Sequence, residues 1–345
     1  MQSCNHRLVN EITAQQQVAI IHLSIVGEFT SSFSPSSPMG SNGKEIFAQD
    51  DKFWENYLRG RPRVPDTLFD RIFHYHQAKG GTFETVHDVG AGNGVYAPRL
   101  RSRFSHVIVS DIVPENIDLA RRRLQDAKGF SFRAAALQDT DGIPAGGVDM
   151  VFAANVMHFP DPQNAAMRAI AQQLRTGGTF CAALFGPARF RDTKLQDLWA
   201  RISHQGGRQL LKVAENPAKI IGIMARTQDT YNVAPLDPSL FVPGALRIHL
   251  NMEEGGIQGM LPPEEAHRNT EPTYTGQDDV VTFEDDEGWS FQTDLAGVKE
   301  HFNSFPFISQ FPDAFTDLYR ELDDMVEREP FQGYYPVKIV LATRC

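Results

Sequence analysis

The chain has 345 residues, 41% hydrophobic and 22% charged, with a formal net charge of -10. Such a composition supports a substantial core, and the acidic balance repels phosphate backbones, which argues against nucleic acid as a partner. The three cysteines, Cys4, Cys181 and Cys345, are far apart and odd in number, which implies no disulfide framework, no zinc or other metal site, and a reducing, cytoplasmic setting. No apolar run reaches the roughly 18 residues that a bilayer span needs.

Residues 1–43 differ in composition from the rest of the chain. The run Thr30-Ser31-Ser32-Phe33-Ser34-Pro35-Ser36-Ser37-Pro38 is too polar and proline-rich to offset its ordering entropy, so a disordered leader is expected, with Met39 as the start of the functional chain. One α/β domain is expected over 44–345. Phe47, Phe53, Trp54, Tyr57 and Leu58 fall near helical spacing, and Asp66 is placed to cap a helix carrying Leu68, Phe69, Ile72 and Phe73. Strands are expected at Thr85–Val89, Val107–Asp111, Phe130–Ala134, Val148–Ala154 and Thr179–Phe185. Helices are expected between them through Ala97–Phe104, Ile117–Leu124 and Pro162–Leu174, the last stopped at Gly177-Gly178. The exposed face of the second of these accounts for the basic run Arg121-Arg122-Arg123. This alternation specifies a mainly parallel sheet with helices on both faces. After Phe185 it stops. A helical stretch from Leu195 to Val213 leads into a proline-, glycine- and acid-rich region, and 187–285 reads as a substrate-lid insertion. A helix over Pro312–Val326 and a last strand over Val337–Ala342 follow.

The chemistry concentrates at Asp88-Val89-Gly90-Ala91-Gly92-Asn93-Gly94, a turn between strand and helix. Gly90, Gly92 and Gly94 let the backbone turn sharply and approach a ligand, and the next helix is expected to offer free amides and a positive dipole end. A dinucleotide fingerprint needs its third glycine at position 95, which is Val95. Asp88 also opposes a pyrophosphate, whereas a sulfonium with an amino group tolerates a carboxylate. Both points favour S-adenosylmethionine over NAD. Asp111 ends the next strand, where an acid accepts hydrogen bonds from both ribose hydroxyls, or else caps the helix that follows, and Ile112 after it is placed to pack on adenine.

These residues, with Asn155-Val156-Met157-His158-Phe159, resemble the class I S-adenosylmethionine-dependent methyltransferases. Within them, Tyr57-Leu58-Arg59-Gly60-Arg61-Pro62-Arg63-Val64-Pro65 resembles the Tyr-x-x-x-Arg-Pro-x-Tyr-Pro segment of the trans-aconitate methyltransferase-like fungal small-molecule group, with Val64 for its second tyrosine. The resemblance implies a Rossmann-like sheet of seven strands, the last antiparallel. It implies cofactor contacts from Ala136, Leu137, Asn155 and Val156, with Tyr57 and Arg61 closing over the cofactor. Gln138 and Asp139 lie slightly beyond the place where the family often carries an acid. His158 is a candidate general base, or else a residue that positions its loop.

The acceptor is expected to be a small molecule methylated on a carboxyl or hydroxyl oxygen, in secondary metabolism. Arg189 and Arg191 are candidate carboxylate ligands, or pair with Asp192. Phe185, Phe190, Trp199, Phe241 and Met252 are candidates to line an apolar pocket, or are core. Rival readings are an NAD-dependent oxidoreductase, for which no Tyr-x-x-x-Lys pair stands out, and a non-methylating member of the fold that keeps the cofactor site.

Overall fold

The computed structural model describes residues 51–124, 127–252, 256–325 and 329–345, all within the unit Met39–Cys345. The expected leader, Met39 and Phe47 lie outside the described residues. The described residues begin with α1 (Asp51–Gly60) and α2 (Asp66–Ala78), then enter β1 (Thr85–Val89). There follow α3 (Ala97–Arg101), β2 (His106–Asp111), α4 (Pro114–Leu124), β3 (Phe130–Ala134), β4 (Val148–Ala154), α5 (Gln163–Gln173) and β5 (Leu174–Leu184). Beyond these lie β6 (Arg189–Phe190), α6 (Thr193–Val213), α7 (Pro217–Arg226), β7 (Leu246–Leu250), β8 (Val280–Glu284) and β9 (Ser290–Thr293). The chain ends through α8 (Leu295–Asn303), α9 (Pro306–Gln310), α10 (Thr316–Asp323), β10 (Phe331–Tyr334) and β11 (Val337–Thr343).

The main sheet has eight strands in the order β3-β2-β1-β4-β5-β11-β7-β8. β1 to β5 pair in parallel, and β11 runs antiparallel to both β5 and β7. The last strand is therefore antiparallel as expected, but it lies inside the sheet. The count is eight because β7 and β8 extend the sheet past β11. All seven residues of β11 are buried, as a strand covered on both faces requires, and Lys338 is the charged exception in an otherwise mainly apolar run. Alternation then sorts the side chains. Met150, Phe152, Cys181 and Ala183 face a core shared with α2, α3 and α4. Val151, Ala153, Phe180 and Ala182 face a second core shared with α5.

The stretch 187–285 is not one insertion. It supplies α6 and α7, but Leu246–Leu250 and Val280–Glu284 are strands of the main sheet. The remaining wall comes from further along. α6 packs with α8, α9 and α10 around Trp199, Phe302, Phe305, Phe307 and Phe315, beside the three-stranded sheet β6-β10-β9. Pro312–Val326 is shorter than expected, a 3-10 turn at Pro312–Phe315 followed by α10. Asp66 does not cap α2. It is the first residue of that helix and pairs with Arg99. Arg121, Arg122 and Arg123 form the last turn of α4 and are exposed.

Candidate active site

Two cavities meet at the carboxyl ends of β1, β2, β4 and β5. The first is lined by Tyr57, Asp88, Gly90, Gly92, Asp111, Ile112, Ala136, Leu137, Asn155 and Val156. Ten of the twelve residues expected at a cofactor are thus brought together. The other two are elsewhere. Gly94 does not reach this cavity. A Cβ there would touch Ala120 and Leu124 at 3.3 Å, so it lets the turn pack on α4. Arg61 lies in the second cavity.

The glycine turn forms because φ is +62° at Gly90 and +56° at Gly92, which a side chain resists. At Gly92 a Cβ would also stand 2.5 Å from the ring of Trp54. The helix after the turn differs from expectation. α3 has only five residues and starts at Ala97, so its dipole is weak. The amide of Gly92 is also not free, because it donates to Asp111 Oδ2 at 2.9 Å. Asp111 Oδ1 accepts from Val113 N and from Asn116 Nδ2. Three of about four acceptor positions on that carboxylate are filled, which leaves one for a ribose hydroxyl rather than two. Asn116 in turn accepts from Trp54 Nε1 at 3.1 Å. Trp54, Tyr96, Asn116 and Phe159 also line the cavity, although the sequence reading gave none of them a cofactor role. The available signal was Trp54 and Tyr57 at i and i+3 on the first helix.

Asp88 is 1% exposed and its Oδ2 has no hydrogen-bond partner among the described residues. Burial, then the Asp111 charge, pushes its pKa up to about 8. Burial also raises Asp111 above the usual carboxylate range. Two buried carboxylates beside apolar Ile112, Ala136 and Leu137 suit a cationic amino acid joined to a nucleoside, and they oppose a pyrophosphate. The residues present therefore fit S-adenosylmethionine. Gln138 lines this cavity where an acid is frequent in the family, while Asp139 turns away to Arg133.

The second cavity shares Tyr57, Asn155 and Phe159 with the first. Its wall is apolar and rich in rings, with Phe185, Trp199, Phe305 and Phe307 beside Ile220, Ile223 and Met224 of α7. Of the candidate pocket aromatics, Phe185 and Trp199 line it. Phe190, Phe241 and Met252 are core. Arg189 and Arg191 do not reach it. Arg191 stacks toward Tyr334, and Asp192 caps α6 through the amides of Lys194 and Leu195. His158 does line it, with Nδ1 unpartnered among the described residues. Burial, then the charge of Arg226, drops its pKa to about 3, so it is neutral.

The loop carrying His158 is fixed from both sides. Asn155 has φ of +57° and accepts from the Phe185 amide, tying β4 to the end of β5. Arg226 of α7 donates to the carbonyls of His158 and Pro160 while it forks onto Glu271. Gln163 Nε2 donates to Met157 O and Pro160 O.

A family model described as a methyltransferase domain matches residues 87–182, from β1 into β5. The chain is 55% identical over 312 residues to "Methyltransferase gedG" of Aspergillus terreus, spanning 90% of this chain and 97% of that protein. It belongs to the class I methyltransferases. A second relative, "Methyltransferase nsrG" of Aspergillus novofumigatus, is 58% identical over 302 residues, covering 87% of this chain and 98% of that one. A structure from Anaeromyxobacter dehalogenans, provisionally classed as a type II methyltransferase, superposes with a TM-score of 0.50 at 17% identity. It covers 82% of this chain and 97% of that one, and it supports the fold alone. S-adenosylmethionine is the cofactor of this methyltransferase. Among the described residues no helix is long and apolar enough to cross a membrane.

Proposed function

We propose that this methyltransferase moves a methyl group onto a carboxyl or hydroxyl oxygen of a small, ring-rich apolar metabolite, in a cytoplasmic setting and as a step of secondary metabolism. The observation that carries this is the apolar cavity of aromatic rings that adjoins the carboxylate-lined cavity through Tyr57, Asn155 and Phe159. A cavity walled by rings favours flat apolar molecules and gives little purchase to a phosphate backbone.

In this reading Asp88 holds the cationic amino-acid end of the cofactor, and Asp111 takes one ribose hydroxyl. Ile112, Ala136 and Leu137 flank the base, and Asn155 and Val156 wall the methyl-bearing region. The cofactor supplies a methyl carbon already activated by its sulfonium. The protein's share is alignment and exclusion of water, which can lower the barrier by about 7–11 kcal/mol when the geometry is held. Asn155 and Phe159 set the boundary that an acceptor oxygen must approach. His158 is neutral and offers a hydrogen bond to that oxygen. With its pKa near 3 it is a weak base, which suits an acceptor that ionises unaided.

The test is incubation of the purified protein with labelled S-adenosylmethionine and a panel of ring-rich carboxylic acids, phenols and aliphatic alcohols. Label on oxygen of a ring-rich member supports the reading. Label confined to nitrogen, carbon or macromolecules sinks it.

A further inference from the structure

Arg226, Arg247 and the half-buried Arg61 each turn a guanidinium inward, and the first two find a carboxylate. Arg226, 2% exposed, forks onto Glu271, and Arg247, 1% exposed, binds Asp279. Arg61 is the exception. Among the described residues no carboxylate lies within salt-bridge distance of it. Among the described residues, its guanidinium makes one hydrogen bond, from Nη2 to the carbonyl of Ser304 at a long 3.4 Å, and its buried Nε donor has no partner. Burial lowers its pKa, the response of a cation deprived of solvent without a compensating anion.

The guanidinium is nonetheless held in place. Its Cζ stands 3.8 Å from the ring centroid of Phe305 and 4.8 Å from that of Tyr57. Gly186, just past the end of β5, has φ of +142°, and a Cβ there would lie 2.5 Å from Arg61 Nη1. The chain thus leaves a berth for the guanidinium. Both stacking rings and Arg61 line the aromatic cavity, and Trp199 Nε1 is a further buried donor of that cavity with no partner. An interior charge is normally paired. No described protein residue supplies the pairing group here. Arg61 also borders an open cleft beside Trp289 and Tyr335, but both of its stacking rings belong to the aromatic cavity, which is where that group would stand.

We infer that Arg61 is the specificity-determining residue of the acceptor cavity, receiving an ionised oxygen group of the acceptor, a carboxylate or phenolate, on a guanidinium held by Tyr57, Phe305 and Gly186. This rests on the acceptor-cavity reading above and moves Arg61 from the cofactor to the acceptor. A guanidinium fork grips a planar anion by two parallel hydrogen bonds. It also stabilises the ionised form of a phenol, the nucleophilic form, without a base.

The experiment uses full-length protein saturated with S-adenosylhomocysteine and two fluorescent probes of equal size, anthracene-2-carboxylate and anthracene-2-carboxamide. Wild-type protein is expected to bind the anion at least about tenfold more tightly than the amide, and Arg61→Gln to erase that ratio by weakening the anion alone. Arg61→Lys is expected to keep part of the preference. Gly186→Ala, which retains the arginine but fills its berth, is expected to lose most of it. Circular dichroism and melting temperature establish that each variant is folded. An unchanged ratio in Arg61→Gln overturns the inference. So does loss of S-adenosylhomocysteine binding with the anion preference intact, which would return Arg61 to the cofactor. Binding of neither probe by wild-type protein that still binds S-adenosylhomocysteine sinks the acceptor-cavity reading, and the inference with it.

Discussion

At the scale of single residues, Asp88 links binding to pH. Its carboxyl is pushed up to about 8 in the free protein by burial and by Asp111. A raised acid keeps its proton in the folded state after the unfolded chain has lost it. Its contribution to stability is therefore full below about pH 4 and is lost as pH rises through 8. A cation placed beside it favours the ionised form, so cofactor binding expels a proton below pH 8 and affinity rises from pH 6 to 8. Asp88→Asn is expected to weaken cofactor binding by about 1–3 kcal/mol and to abolish that share of the proton release. The same substitution raises the melting temperature of the free protein at pH 8. Calorimetry in buffers of different ionisation heat reads the proton directly, and equal release from both proteins contradicts the assignment.

Lys338 obeys the opposite sign. It lies on β11 opposite His249, is 2% exposed, and burial with Arg247 nearby lowers its pKa to about 6. The unfolded chain binds this proton up to about pH 10 and the folded chain does not. Stability on this account rises from pH 6 to 10. Lys338→Met is expected to stabilise the protein at pH 7 and to flatten that rise, as measured by urea unfolding across the range. Nothing local in Val337-Lys338-Ile339 foretold a neutral lysine, because its burial depends on β7 lying alongside. The glycine turn and Asp88 were legible for the converse reason. Their geometry is dictated by neighbours in sequence.

At the scale of elements, the loop between the two cavities depends on α7. Arg226 uses its donors on two carbonyls of that loop and on Glu271, while Tyr274 donates to the same carboxylate. Arg226→Met leaves Glu271 without its cation and frees the loop. A loss of about 3–5 kcal/mol in urea unfolding is expected, with weaker cofactor binding through Pro160 and Phe159. Glu271→Gln keeps a hydrogen-bond acceptor and is expected to cost less. The sequence reading found the strands and helices up to β5 because strict alternation of strand and helix leaves few arrangements. Beyond β5 it found α6 and β11 but overlooked α7, β7 and β8. Leu246-Arg247-Ile248-His249-Leu250 does alternate. Its polar members, however, are buried, Arg247 by contacts with 233–234 and 274–279 and His249 against Phe283, so the pattern resembles a half-exposed strand in a region that otherwise reads as loop. The same limit hid the place of Arg61. Its neighbours in space are Phe305 and Gly186, more than a hundred residues away in the chain.

At the scale of the whole molecule, several histidines are buried as neutral rings. His87 bridges Gln173 and Ser110, and burial drops its pKa to about 4. His301 donates from Nδ1 to Gly60 O and accepts at Nε2 from the Ala188 amide, and its pKa falls to about 3. His158 is held near 3 as well. A lowered base binds its proton in the unfolded chain first, so stability is lost as pH falls from about 6.5 toward 4. Three such groups give a slope of up to about 4 kcal/mol per pH unit. The urea midpoint is therefore expected to fall steeply below pH 6. Replacing His87 by Gln is expected to remove about a third of the slope, and a midpoint that stays level to pH 4.5 contradicts the neutral assignment. His301 anchors α1 through Gly60, and His87 ties β1 to Ser110 of β2 and Gln173 of α5, so acid is expected to release the cofactor as it loosens the fold.

The position of β11 has a consequence for biosynthesis. β5 and β7 are separated in the sheet only by this strand, and β8 holds to the sheet through β7. On the ribosome β1 to β5 emerge with partners at hand, whereas β7, and β8 after it, must wait, uncovered, until Val337–Thr343 at the end of the sequence is translated. During that interval Val280, Val281 and Phe283, which stay exposed even in the finished sheet, extend a larger apolar surface open to chaperones or to neighbouring nascent chains. Premature termination shortly before Val337 would therefore remove a central strand rather than a fringe. It would leave β7 and β8 with no link to the strands whose ends carry both cavities.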